Sequence, residues 1–459
     1  MFGGRAAAHD PPHATGIVWF SDGVLERNLV RTNRGLILTE DQGKTFRLLC
    51  NDAFGALLQE VAPVVFTYDG RLLVGTYAKG LLEATPDLCT FGIVQGRLAG
   101  ISVVALETSP GAPHSLFALL AKDGSDEHLF SSTDDGRTWL VPSRTEDFLF
   151  SLRVSPSDSA RLYGSALSVG DGGHLSYRVL VSSDSGQNFR PHDIVLDDNE
   201  SGLQVLAVDP LDPDRAFVRT VAADPPLPER LLRTDDGAWT FTEVMSLAGP
   251  TQMATTKDGS TLWIGSREGV LRSTDHGATF ERLDGAGLRR ISCLELHDGR
   301  LFACGESETA VGVFVSSDHG ASFSSYLQFP QVKERLPCPT GSNESRICGP
   351  SFEDWRLEQG TSANPTADAG LDVGTSPRDA SIPEVKSAPP HEGCSCSMGQ
   401  RSSTSAGGSA WVVVAAALLL ERWAYARSRL SRDWFSWVRR IGKVAGTGSE
   451  SRAPQERLG

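Results

Sequence analysis

The stretch Ser132-Thr133-Asp134-Asp135-Gly136-Arg137-Thr138-Trp139 recurs along most of this chain. A second perfect copy of the pattern Ser/Thr-x-Asp-x-Gly-x-Thr-aromatic occupies residues 273–280. Close variants begin at Thr39, Ser182 and Ser316. A sixth copy, at 234–241, is interpreted as having one extra residue before its aromatic, and a seventh, at 84–91, lacks the glycine. Self-similarity at a period of roughly 40–50 residues indicates a propeller or a solenoid.

Four short apolar runs lead into and out of each copy, separated by Gly, Pro and Asp. In one repeat they cover residues 204–208, 215–219, 229–233 and 240–244. Short strands at regular spacing with turn residues between them indicate an all-β fold. Seven such units within residues 16–330 predict a seven-bladed β-propeller with four strands in each blade.

The repeated phrase is expected to form the tight turn between the third and fourth strands of a blade. Its carboxylate accepts hydrogen bonds from turn amides, and its glycine supplies a positive φ. This structural role accounts for the acidic positions better than catalysis or metal binding, so we predict neither a metal nor a cofactor. The structural aspartates are predicted to be Asp41, Asp134, Asp184, Asp235, Asp275 and Asp318.

These phrases resemble the Asp-box (BNR) repeat, and the resemblance covers about residues 16–326. The Asp-box family includes sialidases, some xyloglucan-cleaving glycosidases, the sortilin luminal domain and photosystem II assembly factors. The resemblance therefore implies the propeller fold and leaves the activity open.

Charge and cysteine placement restrict the functional class and the compartment. A formal net charge of −14 argues against non-specific nucleic-acid binding, which needs a basic surface.

Cys293 and Cys304 flank an Asp-Gly hairpin signal at equal distances, which predicts a disulfide between opposed strand positions. The alternative is that they are small buried apolar residues. Cys338 and Cys348 lie within a polar loop, residues 331–350, and are predicted to form a second bridge there.

The C-terminal region changes composition. Residues 351–409, rich in Pro, Ala, Ser and Asp, predict a disordered linker, with Trp355 as a fixed point on the propeller. The end of the chain contains a cysteine pair, Cys394 and Cys396, then a predicted apolar helix at 410–426 and a basic tail at 427–459. This arrangement resembles the myxobacterial C-terminal sorting signal. The resemblance implies processing or anchoring at the two cysteines, membrane association through 410–426, and a location at the cell surface or outer membrane. The continuous apolar run has eleven residues, shorter than a spanning helix, so a soluble helix is the alternative.

The N-terminal segment, residues 1–15, has an Ala-x-Ala cleavage-like motif without an apolar region before it. Given the export signs at the other end, we hypothesise that it is the remnant of a signal peptide whose start lies upstream.

Candidate ligand-binding residues are expected in loops at the channel mouth, on the face away from the repeated turns. If the chain is a glycosidase, Arg34, Tyr77, Arg219 and Arg267 are the predicted site, with arginines for a sugar carboxylate and a tyrosine nucleophile. The family's Arg-Ile-Pro-like motif is absent, and so are zinc-protease, phosphate-loop and serine-hydrolase motifs. Further charged loop candidates are Arg31, Lys79, Asp123, Asp126, Glu127, Asp171, His174, Asp224, Glu268, Glu306 and Glu308.

The sequence thus predicts an exported, surface-anchored and non-enzymatic propeller that binds or assembles with an extracellular glycan or protein. The alternatives are an exo-sialidase-like glycoside hydrolase and a soluble intracellular scaffold.

Overall fold

A computed structural model describes residues 11–358, apart from residues 24, 57–61, 122–128, 143–146, 171–173 and 225–226. Residues 1–10 and 359–459 lie outside the described residues. With them lie Cys394, Cys396, the predicted apolar helix at 410–426 and the basic tail. Within the described part, no helix is long and apolar enough to cross a membrane.

Seven antiparallel sheets follow one another around a ring, each with its strands in chain order. Blade 1 contains β1 (Ala14–Ser21), β2 (Glu26–Thr32), β3 (Gly35–Thr39) and β4 (Arg47–Cys50). Blade 2 contains β5 (Val64–Phe66), β6 (Leu72–Thr76), β7 (Gly80–Ala84) and β8 (Phe91–Ile93). Blade 3 contains β9 (Val103–Thr108), β10 (Leu116–Leu120) and β11 (Leu129–Ser132), followed by an isolated bridge between Ser131 and Leu140.

The remaining blades repeat this layout. Blade 4 contains β12 (Phe148–Val154), β13 (Leu162–Val169), β14 (Leu175–Ser182) and β15 (Arg190–Ile194). Blade 5 contains β16 (Glu200–Val208), β17 (Ala216–Ala222), β18 (Pro228–Thr234) and β19 (Thr242–Ala248). Blade 6 contains β20 (Gln252–Thr255), β21 (Leu262–Ser266), β22 (Gly269–Ser273) and β23 (Glu281–Arg282). Blade 7 contains β24 (Arg289–His297), β25 (Arg300–Glu306), β26 (Val311–Ser316) and β27 (Ser324–Gln328). The predicted seven-bladed propeller is confirmed.

The core lies between neighbouring blades. Alternating apolar residues of adjacent sheets form contiguous buried clusters, such as the one that joins Trp263 of blade 6 to Phe314 of blade 7. The Trp263 ring is fully buried, and its Nε1 donates to the backbone oxygen of His319, 2.9 Å away, in the last turn of blade 7. Because a buried indole N–H needs an acceptor, this bond fixes the spacing of the two blades.

Blades 1 and 7 meet without exchanging an inner strand: blade 7 is built from four consecutive strands, and a strand from the segment after blade 7 joins blade 1 only at its outer edge, beside β4. Ser292 of β24 donates from its hydroxyl to the Ala14 backbone oxygen of β1 at 2.6 Å. Near the other end of the same strands, the rings of Trp19 and His297 stack with centroids 3.9 Å apart. The seam is therefore closed by packing and side-chain hydrogen bonds.

After blade 7, the chain returns to blade 1. The two-residue strand β28 (Glu334–Arg335) pairs in parallel with β4, and the helix α2 (Asn343–Glu358) follows. A short helix, α1 (Asn51–Phe54), lies between blades 1 and 2 in the chain and packs against α2. Residues 351–358, expected to belong to the linker, thus continue α2. Trp355 is buried and packs edge-on against Phe329, as expected of a fixed point.

One predicted disulfide is present and the other is wrong. Cys293 and Cys304 occupy opposed positions of β24 and β25 and are bonded. Cys338 is bonded to Cys89 of blade 2 and Cys348 to Cys50 of blade 1, so the 331–350 segment is not a loop closed on itself. The physical reason is that β28 and α2 pack against blades 1 and 2, which places the two thiols next to cysteines far away in sequence.

The repeated phrase forms the expected turn. In blade 3, the Asp134 carboxylate accepts bonds from the Ser132 hydroxyl, the Thr138 amide and the Thr138 hydroxyl at 2.7–2.8 Å. The Gly136 amide in turn donates to the Ser132 oxygen at 2.8 Å. Asp135 and Gly136 both have positive φ, 61° and 78°, which is why glycine is preferred at the second of these positions.

Blade 5 requires a correction, because Asp236 rather than Asp235 occupies the turn. The Asp236 carboxylate accepts bonds from the hydroxyls of Thr234 and Thr240, at 2.9 and 2.6 Å. The frame has no extra residue. Instead, the glycine is one position early, and Ala238 takes the second positive-φ position with φ 62°. Asp235 instead forms ion pairs on the outside of the turn. Its partners are Arg215, which directly precedes β17, and Arg233 of β18.

Candidate functional site

The four residues predicted for a glycosidase site lie on four different blades. Arg34 and Tyr77 follow the second strands of blades 1 and 2, which are neighbours in the ring. Arg219 belongs to blade 5, and Arg267 lies between the second and third strands of blade 6. The structure therefore brings Arg34 and Tyr77 to adjacent blades and places the other two arginines across the ring.

Arg219 was predicted to lie in a loop, but it lies within β17 and is buried. Its Nη1 is 2.6 Å from Oε2 of Glu229 on β18, and its Nε donates to Gln204 of β16 at 2.9 Å. The other oxygen of Glu229 accepts the Ala222 amide at 3.1 Å. This side chain is fully used inside its own sheet, where it holds three strands in register.

Arg34 lines a cavity of about 60 Å³ between blade 1 and α2. Asn51, Asp52, Ser351 and Trp355 also line this cavity. The Ser351 hydroxyl donates to the Asp52 carboxylate at 2.5 Å, which ties α2 to α1 beside the cavity. The helix that the sequence did not predict is thus part of the surroundings of Arg34.

The backbones near Tyr77 and Arg267 connect neighbouring blades. The Tyr77 carbonyl accepts a bond from the Ser102 hydroxyl, which precedes blade 3, at 2.7 Å. The Arg267 carbonyl accepts the Arg290 amide of blade 7 at 2.9 Å. The Arg267 side chain packs on Gly249, where an added Cβ would lie 3.1 Å from its Nε. Both positions therefore have structural roles at blade junctions.

A second charged group combines Arg31, which was expected in a loop but lies within β2, with three residues that the sequence analysis did not single out. We define the axis cluster as Arg31 of blade 1, Glu107 of blade 3, Arg153 of blade 4 and Glu295 of blade 7. The two arginines act electrostatically on both glutamates. Because blades 3 and 7 are not neighbours, residues from both can interact with one arginine only across the channel.

Arg153 is the centre of the axis cluster. Its Nη1 is bonded to Oε1 of Glu107, and its Nε donates to the Leu206 carbonyl of blade 5 at 3.2 Å. Its Nη1 also donates to the Leu152 carbonyl of its own strand at 3.0 Å. One side chain thereby joins the first strands of blades 3, 4 and 5.

Burial shifts the titration of both glutamates in the axis cluster. Burial raises the pKa of Glu295 to about 7, although the charges of Arg153 and Arg31 act in the opposite direction. Burial likewise raises the pKa of Glu107, again opposed by Arg153 and Arg31. Arg31 has its pKa lowered, first by burial and then by the charge of Arg153. The channel therefore contains carboxyl groups that change protonation at higher pH than exposed ones.

The signal for this cluster is weak in the sequence. Glu107, Arg153 and Glu295 each stand near the end of a first strand, in otherwise apolar runs. A charged residue at that position of one strand is ordinary, and only the ring topology shows that three of them converge. Among the described residues, no group of three or more His, Cys, Asp or Glu side chains is arranged to hold a metal ion.

Comparison with known proteins finds only distant structural likenesses. No family model matches the chain, and no curated protein matches it. Solved structures with a similar fold include the GH74 xyloglucanase from Xanthomonas campestris, at 12% identity and a TM-score of 0.40, covering 72% of this chain and 69% of that one. Hydrazine synthase from Kuenenia stuttgartiensis matches at 14% identity and a TM-score of 0.47, covering 69% and 98%. A β-propeller domain from Myceliophteria thermophila matches at 11% identity and a TM-score of 0.43, covering 66% and 95%. Likenesses this distant carry no argument about activity.

Proposed function

We propose that this chain is an exported propeller that acts as a binding or assembly module, with an extracellular glycan or protein as its ligand at the channel mouth. The observation that supports this most directly is the set of three disulfides within the described part of the chain. Disulfides persist in oxidising compartments and are rare in cytosolic proteins, so they favour export over an intracellular scaffold.

The placement of the predicted glycosidase residues favours binding over hydrolysis. A glycosidase needs its acid, its nucleophile and its substrate-binding cations around one glycosidic bond. Arg219 is bonded within blade 5, and Arg267 lies on blade 6, whereas Arg34 and Tyr77 lie on blades 1 and 2. The Asp-box resemblance is compatible with either role, because the repeated turns are accounted for by their own hydrogen bonds.

Attachment to the cell surface is the second part of the proposal. It rests on the sequence of the C-terminal segment, in which Cys394 and Cys396 precede the apolar residues 410–426 and a basic tail. Positive charge after an apolar segment favours retention of that end on the cytoplasmic side, which would leave the propeller outside. Proteolysis of intact cells should then release a fragment containing the propeller, and complete protection of the chain would contradict attachment at the surface.

The role itself is tested with the full-length chain on a glycan array and with a panel of fluorogenic glycosides. We expect binding without turnover. Turnover that is abolished by Arg34→Ala or Tyr77→Phe would overturn the proposal in favour of the glycosidase. The matched control is Arg282→Ala, which removes an arginine from the exposed outer strand of blade 6 and should change neither result.

A further inference from the structure

Trp239 places a large aromatic ring in water at a position where the turn of blade 5 does not require one. Of the tryptophans in the described part of the chain, it alone is exposed, with 65% of its surface open to solvent. Its own part in the turn is a backbone bond, from its amide to the Asp236 carboxylate at 2.9 Å, which any residue except proline could donate. The same position is exposed in the five other copies that retain the glycine, where it holds Lys44, Arg137, Gln187, Ala278 or Ala321. The turn therefore accounts for an exposed residue here, but it does not account for an aromatic ring.

The ring is held in place by an arginine of the neighbouring blade. Arg190 begins β15 of blade 4, and its Cζ lies 4.0 Å from the centroid of the Trp239 ring. A guanidinium at this distance over an aromatic face is attracted to it. The same guanidinium is bonded to the carbonyl of Gly237 and donates to the carbonyl of Ala238 at 3.2 Å. One side chain thus fixes both the turn and one face of the ring.

The opposite face of the ring is open to solvent. Arg190 covers one face of Trp239, so an exposed fraction of 65% requires that much of the other face and the outer edge contact water. Covering this apolar surface with a ligand is favourable. Because Arg190 already restricts the ring, little side-chain freedom is left to lose on binding. We call Trp239 and Arg190 the blade 5 platform.

Charged groups lie beside the turn that bears the platform. A Cβ at Gly237 would lie 2.9 Å from Oδ1 of Asp214 and 3.6 Å from Nη1 of Arg161. Asp214 and Arg161 are paired with each other at 2.5 Å, and the side chain of Asp214 is 46% exposed. Hydrogen-bond donors and acceptors therefore lie next to the turn, two residues from the exposed ring.

This combination fits a sugar better than a protein partner. A stable protein interface buries about 800 Å² on each side, around an apolar centre from which water is excluded. The groups next to the turn are instead the charged side chains of Arg190, Arg161 and Asp214. A sugar ring whose substituents are all equatorial has a flat face of C–H groups, which packs on an aromatic face, and hydroxyls at its edge, which bind charged side chains.

We propose that the blade 5 platform binds a flat glycan chain with equatorial linkages, which stacks on the open face of Trp239. The platform lies in the turn between the third and fourth strands of its blade, at the end of the ring opposite to the channel mouth. It is therefore a second site, and it does not depend on the ligand proposed above for the channel mouth.

Cellohexaose is a suitable probe, because it is a soluble chain of glucose units with only equatorial substituents. It is titrated into the full-length chain and followed by ligand-observed NMR. We expect saturation transfer and an upfield shift of the hydrogens on one face of the sugar, since the ring current of an indole shifts nuclei that lie above it.

Three variants locate the binding. Trp239→Ala should weaken cellohexaose binding by at least about tenfold, and Trp239→Phe, which keeps a flat ring, should retain the affinity within about threefold. The matched control is Leu211→Ala, which removes a side chain of equal exposure, 64%, from the turn between the first two strands of the same blade. It should bind as the unmodified protein does. A thermal unfolding curve for each variant establishes that it is folded.

The proposal is overturned if the unmodified protein does not bind cellohexaose, if Trp239→Ala binds it equally well, or if Leu211→Ala loses as much affinity as Trp239→Ala. Self-association of the unmodified protein that Trp239→Ala abolishes, without binding of the sugar, would show a protein contact instead and would also overturn it. None of these results bears on the channel mouth, which is tested by Arg34→Ala and Tyr77→Phe.

Discussion

At the scale of single residues, the neighbours Asp235 and Asp236 have the same chemistry and different surroundings. Asp236 accepts two hydroxyl bonds and the amides of Trp239 and Thr240 within the turn, the amides both at 2.9 Å. Asp235 has half of its side chain exposed and makes outward ion pairs with arginines. Four hydrogen bonds within a turn contribute more than an exposed ion pair, whose usual effect is small.

We therefore predict that Asp236→Ala lowers the free energy of unfolding by about 1–3 kcal/mol. Asp235→Ala should lower it by less than about 1 kcal/mol. Urea denaturation of the two variants, which differ by one position, measures the difference directly. Equal losses would mean that the turn is held by its backbone alone.

These residues also show how far the sequence can specify a site. Where the glycine follows the aspartate by two positions, the repeated phrase predicted the turn and its aspartate correctly. The reason is that the hydrogen bonds of the turn join residues close together in sequence. In blade 5, the pair Asp235-Asp236 offered two registers, and the early glycine favoured the wrong one. Arg219 was wrongly assigned to a loop for a similar reason. A charged residue at the end of a short apolar run suggests a loop, and the sequence does not show that Glu229 of the next strand neutralises it.

At the scale of elements, α2 and β28 are held to the propeller by covalent bonds over long sequence distances. Cys50–Cys348 spans 298 residues and Cys89–Cys338 spans 249, whereas Cys293–Cys304 spans 11. In the chain-entropy description, a disulfide that closes a longer loop restricts the unfolded chain more.

Replacing Cys338 and Cys348 by serine should therefore destabilise the protein by about 3–6 kcal/mol, and replacing Cys293 and Cys304 by about 2–3 kcal/mol. Denaturant unfolding under non-reducing conditions compares the two double variants. The first should also expose α2 to proteolysis while the blades stay protected. A larger loss from the local bridge would contradict the entropic explanation.

These elements could not be predicted from the sequence, for a physical reason. Gly349-Pro350 and the polar residues around them are typical of a linker, yet they lie within α2. The helix is stabilised by burial of Phe352 and Trp355 and by the Cys50 bridge, all of which depend on contacts with blade 1 or with the segment just after blade 7. Strand order within blades, by contrast, depends on neighbours in the sequence and was predicted correctly.

At the scale of the whole molecule, the repeated turns make the ring sensitive to acid. Hydrogen bonds from the hydroxyls of Thr138, Thr240 and Ser322 are the largest cause that lowers the pKa of Asp134, Asp236 and Asp318 to about 2, with further bonds from turn hydroxyls and amides. In the unfolded chain an aspartate titrates near 4. Because the folded pKa is the lower one, this stabilisation is present above about pH 4 and is lost as the pH falls toward 2.

We predict that the urea midpoint of the protein falls steeply between pH 5 and pH 2.5. A triple variant with asparagine at Asp134, Asp236 and Asp318 should be less stable at pH 7 and should show a shallower fall, since those groups no longer take up protons. Parallel curves for the variant and the unmodified protein would place the acid sensitivity elsewhere in the molecule.

The bond between Cys348 and Cys50 has a mechanical consequence. A pull applied at the C-terminal end of α2 is transmitted first to blade 1 through a covalent bond, and to blade 2 through Cys338 and Cys89. Blade 7, whose seam with blade 1 has no shared strand, is bypassed by that load. A tether leaving the molecule at residue 358 would therefore load blades 1 and 2 through covalent bonds, and tension would not separate blade 7 from the ring.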